Sequence, residues 1–133
     1  MPDKHLQDCR ILVVEDTYFI ADDIGAALRR AGAVVVGPAP SREAALALLA
    51  SETIDAAVLD VNLQGETAYR VADQLLARRT PFVFATGYGR SFIPEAYGGI
   101  GLWEKPFDPR ALVGALPALI AQARAGAGAE GCR

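Results

Sequence analysis

The sequence predicts an α/β fold, a doubly wound five-stranded parallel sheet with helices on both faces. Two observations lead there. Short apolar runs alternate with segments of helical periodicity, strand then helix, five times along 133 residues. Such alternation calls for right-handed crossovers that lay helices over a parallel sheet. The apolar runs also lack alternating polar residues, so their strands are buried on both faces. The length suits one domain, and a domain of this size buries about two-thirds of its unfolded surface without needing disulfides or a structural metal.

Ile11-Leu-Val-Val14 is the first strand. Ile20, Ile24, Ala27, Leu28 and Ala31 follow helical spacing, and Gly32 supplies the stop. Val34-Val-Val36 is the second strand, ended by Gly37-Pro38. Ser41 can cap an Ala- and Leu-rich helix running through Ala50. Ala56-Ala-Val-Leu59 is the third strand. Ala68, Val71, Ala72, Leu75 and Leu76 mark the next helix, which the Thr80-Pro81 step stops. Phe82-Val-Phe-Ala85 is the fourth strand, and Leu102-Trp103 opens a short fifth. Asp108-Pro109 places a capping carboxylate before a proline at the first helical position of a last helix, which runs to about Ala123 with Gly114 and Pro117 inside it. Between Gly87 and Gly101 five glycines and a proline leave at most a weak fourth helix. The expected organisation is an N-terminal tail over 1–8, the domain over 9–124 and a disordered C-terminal tail over 125–133.

Composition excludes several function classes. Hydrophobic residues make up 52% and charged residues 22%, as in ordinary globular proteins. The net charge of −3 argues against a broad nucleic-acid surface. No apolar run approaches the length of a membrane span, and MPDKHLQDCR has no signal-peptide core. Cys9 and Cys132 are far apart in sequence and are expected to be incidental, which suits a cytoplasmic protein. His5 is the only histidine and lies in the polar N-terminal segment, so His-based catalysis and His-rich metal sites are unsupported.

Ligands of open parallel sheets bind beyond the carboxyl ends of the strands. After the first strand come Glu15 and Asp16; after the third, Asp60 and then Asn62; after the fourth, Thr86 and Gly87; after the fifth, Lys105 and Pro106. Three clustered carboxylates repel one another, and a divalent cation relieves this. Oxygen ligands without Cys or His select a hard ion such as Mg²⁺ or Mn²⁺, which retains waters and leaves room for phosphate oxygens. A carboxylate can also accept a phosphoryl group. Lys105 can then neutralise one phosphoryl oxygen and Thr86 can donate a hydrogen bond to another.

Glu15-Asp16, Asp60, Thr86 and Lys105-Pro106-Phe107 together resemble the receiver domain of two-component response regulators, over roughly Arg10 to Arg124. The resemblance implies a flavodoxin-like strand order 2-1-3-4-5. It implies Mg²⁺-dependent transfer from the phosphohistidine of a sensor histidine kinase to Asp60. It also implies direct metal ligation by Asp16 and Asp60, water-mediated support from Glu15, a ligand carbonyl on Asn62, and a cis Lys105–Pro106 bond. Phe84-Ala-Thr-Gly-Tyr-Gly89 is similar to the FAT-GUY group of receivers, often stand-alone. For partners this suggests a histidine phosphotransfer protein or an anti-sigma-type output protein, with no direct nucleic acid and no membrane. Most receivers carry a switch aromatic three residues before the lysine, where this chain has Leu102. Tyr88 is the natural substitute, on a segment expected to sample several conformations until phosphorylation orders it.

Taken singly, each residue has a plainer reading. Glu15-Asp16 can simply favour a helix N-terminus, Asp60 can form an Asx-turn, Thr86 can end a strand, and Lys105 can be a solvated charge. Their occurrence after successive strands carries the argument. The implied protein is not a conventional enzyme but a phosphoacceptor that switches protein–protein interactions; a phosphate sink or relay intermediate is the alternative. A flavin- or nucleotide-binding protein is disfavoured, because Glu15-Asp16 stands where a glycine-rich phosphate loop belongs.

Overall fold

A computed structural model describes residues 5–87 and 89–127. The chain runs β1 (Arg10–Val14), α1 (Tyr18–Arg30), β2 (Val34–Ala39), α2 (Arg42–Ser51), β3 (Ala56–Leu59), β4 (Asn62–Leu63), β5 (Glu66–Thr67), α3 (Tyr69–Ala77), β6 (Phe82–Thr86), β7 (Gly101–Glu104) and α4 (Pro109–Ala127). Five strands form one parallel sheet in the order β2-β1-β3-β6-β7. Numbered within the sheet alone, that is the expected 2-1-3-4-5 order.

Each apolar run divides its residues between two cores, because successive strand side chains point to opposite faces. Leu12, Val14, Ala57, Leu59, Phe82 and Phe84 pack on the side of α2 and α3. Ile11, Val13, Ala56, Val58, Val83 and Ala85 pack with Ile24, Leu28, Leu112 and Leu116 on the side of α1 and α4. The helix boundaries follow the expected signals. The Ser41 side chain accepts a hydrogen bond from the Ala44 N–H at 3.1 Å. Gly32 takes φ +94° after α1. Asp108 Oδ1 accepts from the Arg110 N–H at 3.0 Å.

The structure departs from the sequence reading in three places. The N-terminal segment is no free tail from His5 onward: Leu6 is fully buried and donates its N–H to the Ala31 carbonyl at 3.0 Å. Cys9, expected to be incidental, is a buried core residue and not a free thiol; Cys132 lies outside the described residues. Where at most a weak fourth helix was expected, two 3₁₀ turns form, Arg90–Phe92 and Glu95–Tyr97. The last helix continues across Gly114 and Pro117 to Ala127, past the expected end near Ala123; residues 128–133 lie outside the described set. Among the described residues, no helix is long and apolar enough to cross a membrane.

The glycine-rich segment is packed from Gly89 onward. Arg90 donates to the carbonyls of Tyr97 and Ile100. Ile93 and Tyr97 are buried. The Tyr97 ring stacks on Tyr69 at 5.0 Å and meets Phe84 edge-on at 5.9 Å. Its hydroxyl donates to Asp73 Oδ1 on α3 at 2.6 Å. Burial, reinforced by the Asp73 carboxylate, pushes the Tyr97 hydroxyl up to about 12. Tyr97→Phe keeps the stacked ring and loses a hydrogen bond to a charged acceptor, so urea denaturation should show a loss of about 1.5 kcal/mol. The stabilising contribution of neutral Tyr97 is full below the ordinary value of 10.0 and is lost as pH rises towards about 12. Wild type should lose stability over that alkaline window by more than Tyr97→Phe does.

Candidate functional site

Strand register brings the candidate residues together. Val14 pairs with Leu59, so Glu15 and Asp60 leave adjacent strands at one level. The Asp60 N–H donates to the Val14 carbonyl at 2.9 Å and maintains that level. Leu59 pairs with Phe84, and Thr86 pairs with Glu104, which places Lys105 just past the end of the sheet. The Lys105 N–H donates to the Thr86 carbonyl at 2.8 Å. Lys105–Pro106 is cis, as the resemblance implied.

Glu15, Asp60 and Thr86 are the only polar or charged residues buried among those described. Burying carboxylates is costly unless their charge is compensated. Lys105 supplies the compensation: its Nζ lies 2.9 Å from Asp60 Oδ2 and 2.9 Å from Glu15 Oε1. The ammonium is directed at Glu15 Oε2, to which it donates at 3.1 Å, while Oε1 receives no directed hydrogen bond. Burial pushes the Glu15 carboxyl above its ordinary value; Lys105 opposes the rise and the Asp60 charge adds to it. Burial also works against the charge on Lys105, but its hydrogen bonds to Glu15 and Asp60 outweigh this and raise its pKa.

One carboxylate oxygen from each of Glu15, Asp16 and Asp60 lies within 4.8 Å of the others, with Asp16 the more exposed member. This all-oxygen set, with a buried Glu15 oxygen lacking a directed donor, fits a hard divalent cation. Local turns shape the cluster. Glu15 Oε2 accepts from the Thr17 N–H at 3.1 Å, and Asp60 Oδ1 accepts from the Asn62 N–H at 3.2 Å. The Asx-turn at Asp60 is thus real, and it orients the carboxylate rather than competing with a functional role.

A model of the response regulator receiver domain matches residues 11–117. The chain belongs to this family. Among solved structures, this receiver is similar to SdrG from Sphingomonas melonis Fr1, at 38% identity, with 85% of this chain and 97% of that one covered and a TM-score of 0.74. It shares its fold with a CheY-like receiver domain protein from Methanospirillum hungatei JF-1, at 22% identity, coverages of 90% and 99%, and a TM-score of 0.79. It also shares its fold with the response regulator PhyR from Brucella abortus, at 24% identity and a TM-score of 0.76, where the match covers 93% of this chain and 53% of that one. No curated protein matches the sequence.

Of the residues singled out from sequence, the receiver fold unites Glu15, Asp16, Asp60 and Lys105, with Thr86 and Asn62 at neighbouring positions. Leu102 packs against the α2–α3 core cluster. Tyr88 lies outside the described residues. Sequence reasoning missed Tyr97 with its partners Tyr69 and Asp73. The available signal was one of three aromatics in a glycine-rich stretch, which says nothing about what it meets.

A cation filling this cluster should stabilise the fold. At a free concentration of 100 times Kd the gain is about 2.7 kcal/mol. Mg²⁺ should therefore raise the melting temperature, and Asp16→Ala should erase the shift; an unchanged response in that variant would place the ion elsewhere. Because Glu15 titrates above the ordinary carboxylate value, the Mg²⁺ effect should fade with acidification before pH reaches 4.5.

Proposed function

We propose that this receiver accepts a phosphoryl group on Asp60 and switches a protein–protein interaction. The observation carrying this reading is the convergence of a buried carboxylate, a charge-compensating lysine and two further carboxylates on one sheet edge. Asp16 and Asp60, with the Asn62 carbonyl and Glu15 in support, would hold Mg²⁺ or Mn²⁺; the ion supplies charge neutralisation for phosphoryl oxygens.

The chain's own residues do the rest by positioning. An Asp60 oxygen attacks phosphorus as the bond from phosphorus to the donor histidine nitrogen breaks; that nitrogen keeps the electron pair, and a proton on the ring's other nitrogen lets it leave as neutral imidazole, giving an aspartyl phosphate. Lys105, already 2.9 Å from Asp60 Oδ2, passes from the carboxylate to a phosphoryl oxygen. The Thr86 hydroxyl donates to another, and Thr86 communicates that contact to the segment leading to Tyr88. The donor is a sensor histidine kinase, and the output is a partner protein of anti-sigma type. The protein works in the cytoplasm.

The test is phosphotransfer from candidate kinases followed by partner capture with and without beryllofluoride. A switch binds a partner differently in the two states. A receiver that drains the kinase while every candidate partner ignores its state acts as a phosphate sink, and the switching proposal fails.

A further inference from the structure

The link between Asp60 and α3 is folded. Asn62–Leu63 pairs antiparallel with Glu66–Thr67 around a turn in which Gln64 and Gly65 take φ +53° and +91°. Asn62 sits at the open end of this hairpin and touches both sides of the problem. Its N–H donates to Asp60 Oδ1 at 3.2 Å, and its side-chain oxygen accepts from the Gly65 N–H at 3.2 Å. A ladder with strands of two residues is too short to hold itself in place. Its support comes from α2. Glu66 Oε2 accepts from the Arg42 N–H at 3.0 Å, so Glu66 caps the helix from outside while Ser41 caps it from within. The Arg42 guanidinium lies 3.5 Å from Glu66 Oε1 and donates to the Thr67 carbonyl at 3.4 Å. Arg42 thus grips the second hairpin strand through both its residues, and Thr67 is the register partner of Asn62.

We propose that Glu66 is a positioning residue for the phosphoryl and metal site: clamped to Arg42, it fixes the hairpin and so sets Asn62 against Asp60. The inference rests on the reading of Asp60 as acceptor. Glu66 does not belong to the carboxylate cluster itself. Its ion pair is about one-third exposed, so its effect on global stability is small. Loss of a group that orients a metal ligand, in contrast, typically weakens metal binding 10- to 100-fold.

The experiment titrates Mg²⁺ into the full chain by calorimetry and measures phosphorylation by acetyl phosphate, with melting temperature alongside. Glu66→Ala should weaken Mg²⁺ binding about tenfold and slow phosphorylation, with little change in melting temperature. Glu66→Gln loses the same charge but retains an acceptor for the Arg42 N–H, and should recover most of the loss. Arg42→Ala removes a positive charge, which by electrostatics alone would tighten Mg²⁺ binding; the clamp requires that it weaken binding instead. That variant also decides the matter should Glu66→Ala fail to fold. Wild-type affinity in Glu66→Ala, equal losses in the Ala and Gln variants, or tighter binding in Arg42→Ala would each overturn the clamp while leaving the site intact. A wild-type chain that neither binds Mg²⁺ nor accepts phosphate would overturn the reading of the site itself, and the clamp with it.

Discussion

Asp60→Asn should leave a folded chain that takes up no phosphoryl label from acetyl phosphate or a kinase. The amide keeps the shape of the carboxylate and can still accept from the Asn62 N–H, which holds Asp60 Oδ1 at 3.2 Å. It lacks the anionic oxygen that attacks phosphorus. The substitution also relieves repulsion, because the Asp60 charge is one of the causes raising the Glu15 carboxyl. Removing it eases the burial of Glu15, and Lys105 retains Glu15 as a partner. Metal-free Asp60→Asn should therefore be no less stable than wild type, and Mg²⁺ should stabilise it less. Acid-stable, hydroxylamine-labile label persisting in this variant would remove Asp60 from its assigned role. A large loss of stability would show that the carboxylate serves mainly as a structural partner for Lys105.

Lys105→Met should produce the largest stability change, and only in the absence of metal. The ammonium sits between Glu15 and Asp60, whose side chains are 1% and 6% exposed. Its removal leaves two buried carboxylates without compensation, a defect worth about 3–5 kcal/mol. Two conditions should repair it. Saturating Mg²⁺ replaces the missing positive charge. Acid neutralises Glu15, whose raised pKa means that its ionisation works against the folded state. The sign follows from linkage: a carboxyl with a raised folded pKa adds stability below its ordinary value of 4.5 and loses it as pH rises through the raised value. Metal-free Lys105→Met should accordingly be closest to wild type in mild acid and furthest from it above neutrality. Wild type holds the Lys105 contribution through neutral pH and loses it only as pH climbs past 10.5 towards the raised lysine value. Guanidinium melts across pH with and without Mg²⁺ would check both dependences. A loss independent of both pH and Mg²⁺ would mean that Lys105 acts through packing of its stem.

The sequence by itself determined the sheet, its helices and the membership of the acidic site. Each of those rests on local rules. Uninterrupted apolar runs such as Ala56–Leu59 need burial on two faces, and parallel strands project their carboxyl ends to one edge. Residues following those runs therefore had to gather, and Glu15, Asp16, Asp60 and Lys105 do. Tertiary structure alone decided the supports. The Tyr97 hydroxyl finds Asp73 across 24 positions, and Glu66 caps a helix that begins 24 positions earlier. No periodicity or motif encodes such pairs, since each depends on where two separate elements come to rest. The glycine-rich 87–101 stretch illustrates the difference. Its composition left at most a weak helix, yet its packing from Gly89 onward comes from a buried tyrosine, a stacked ring and an arginine bound to two carbonyls. Low helix propensity limits which secondary structure forms; contacts from distant elements decide whether the segment is held.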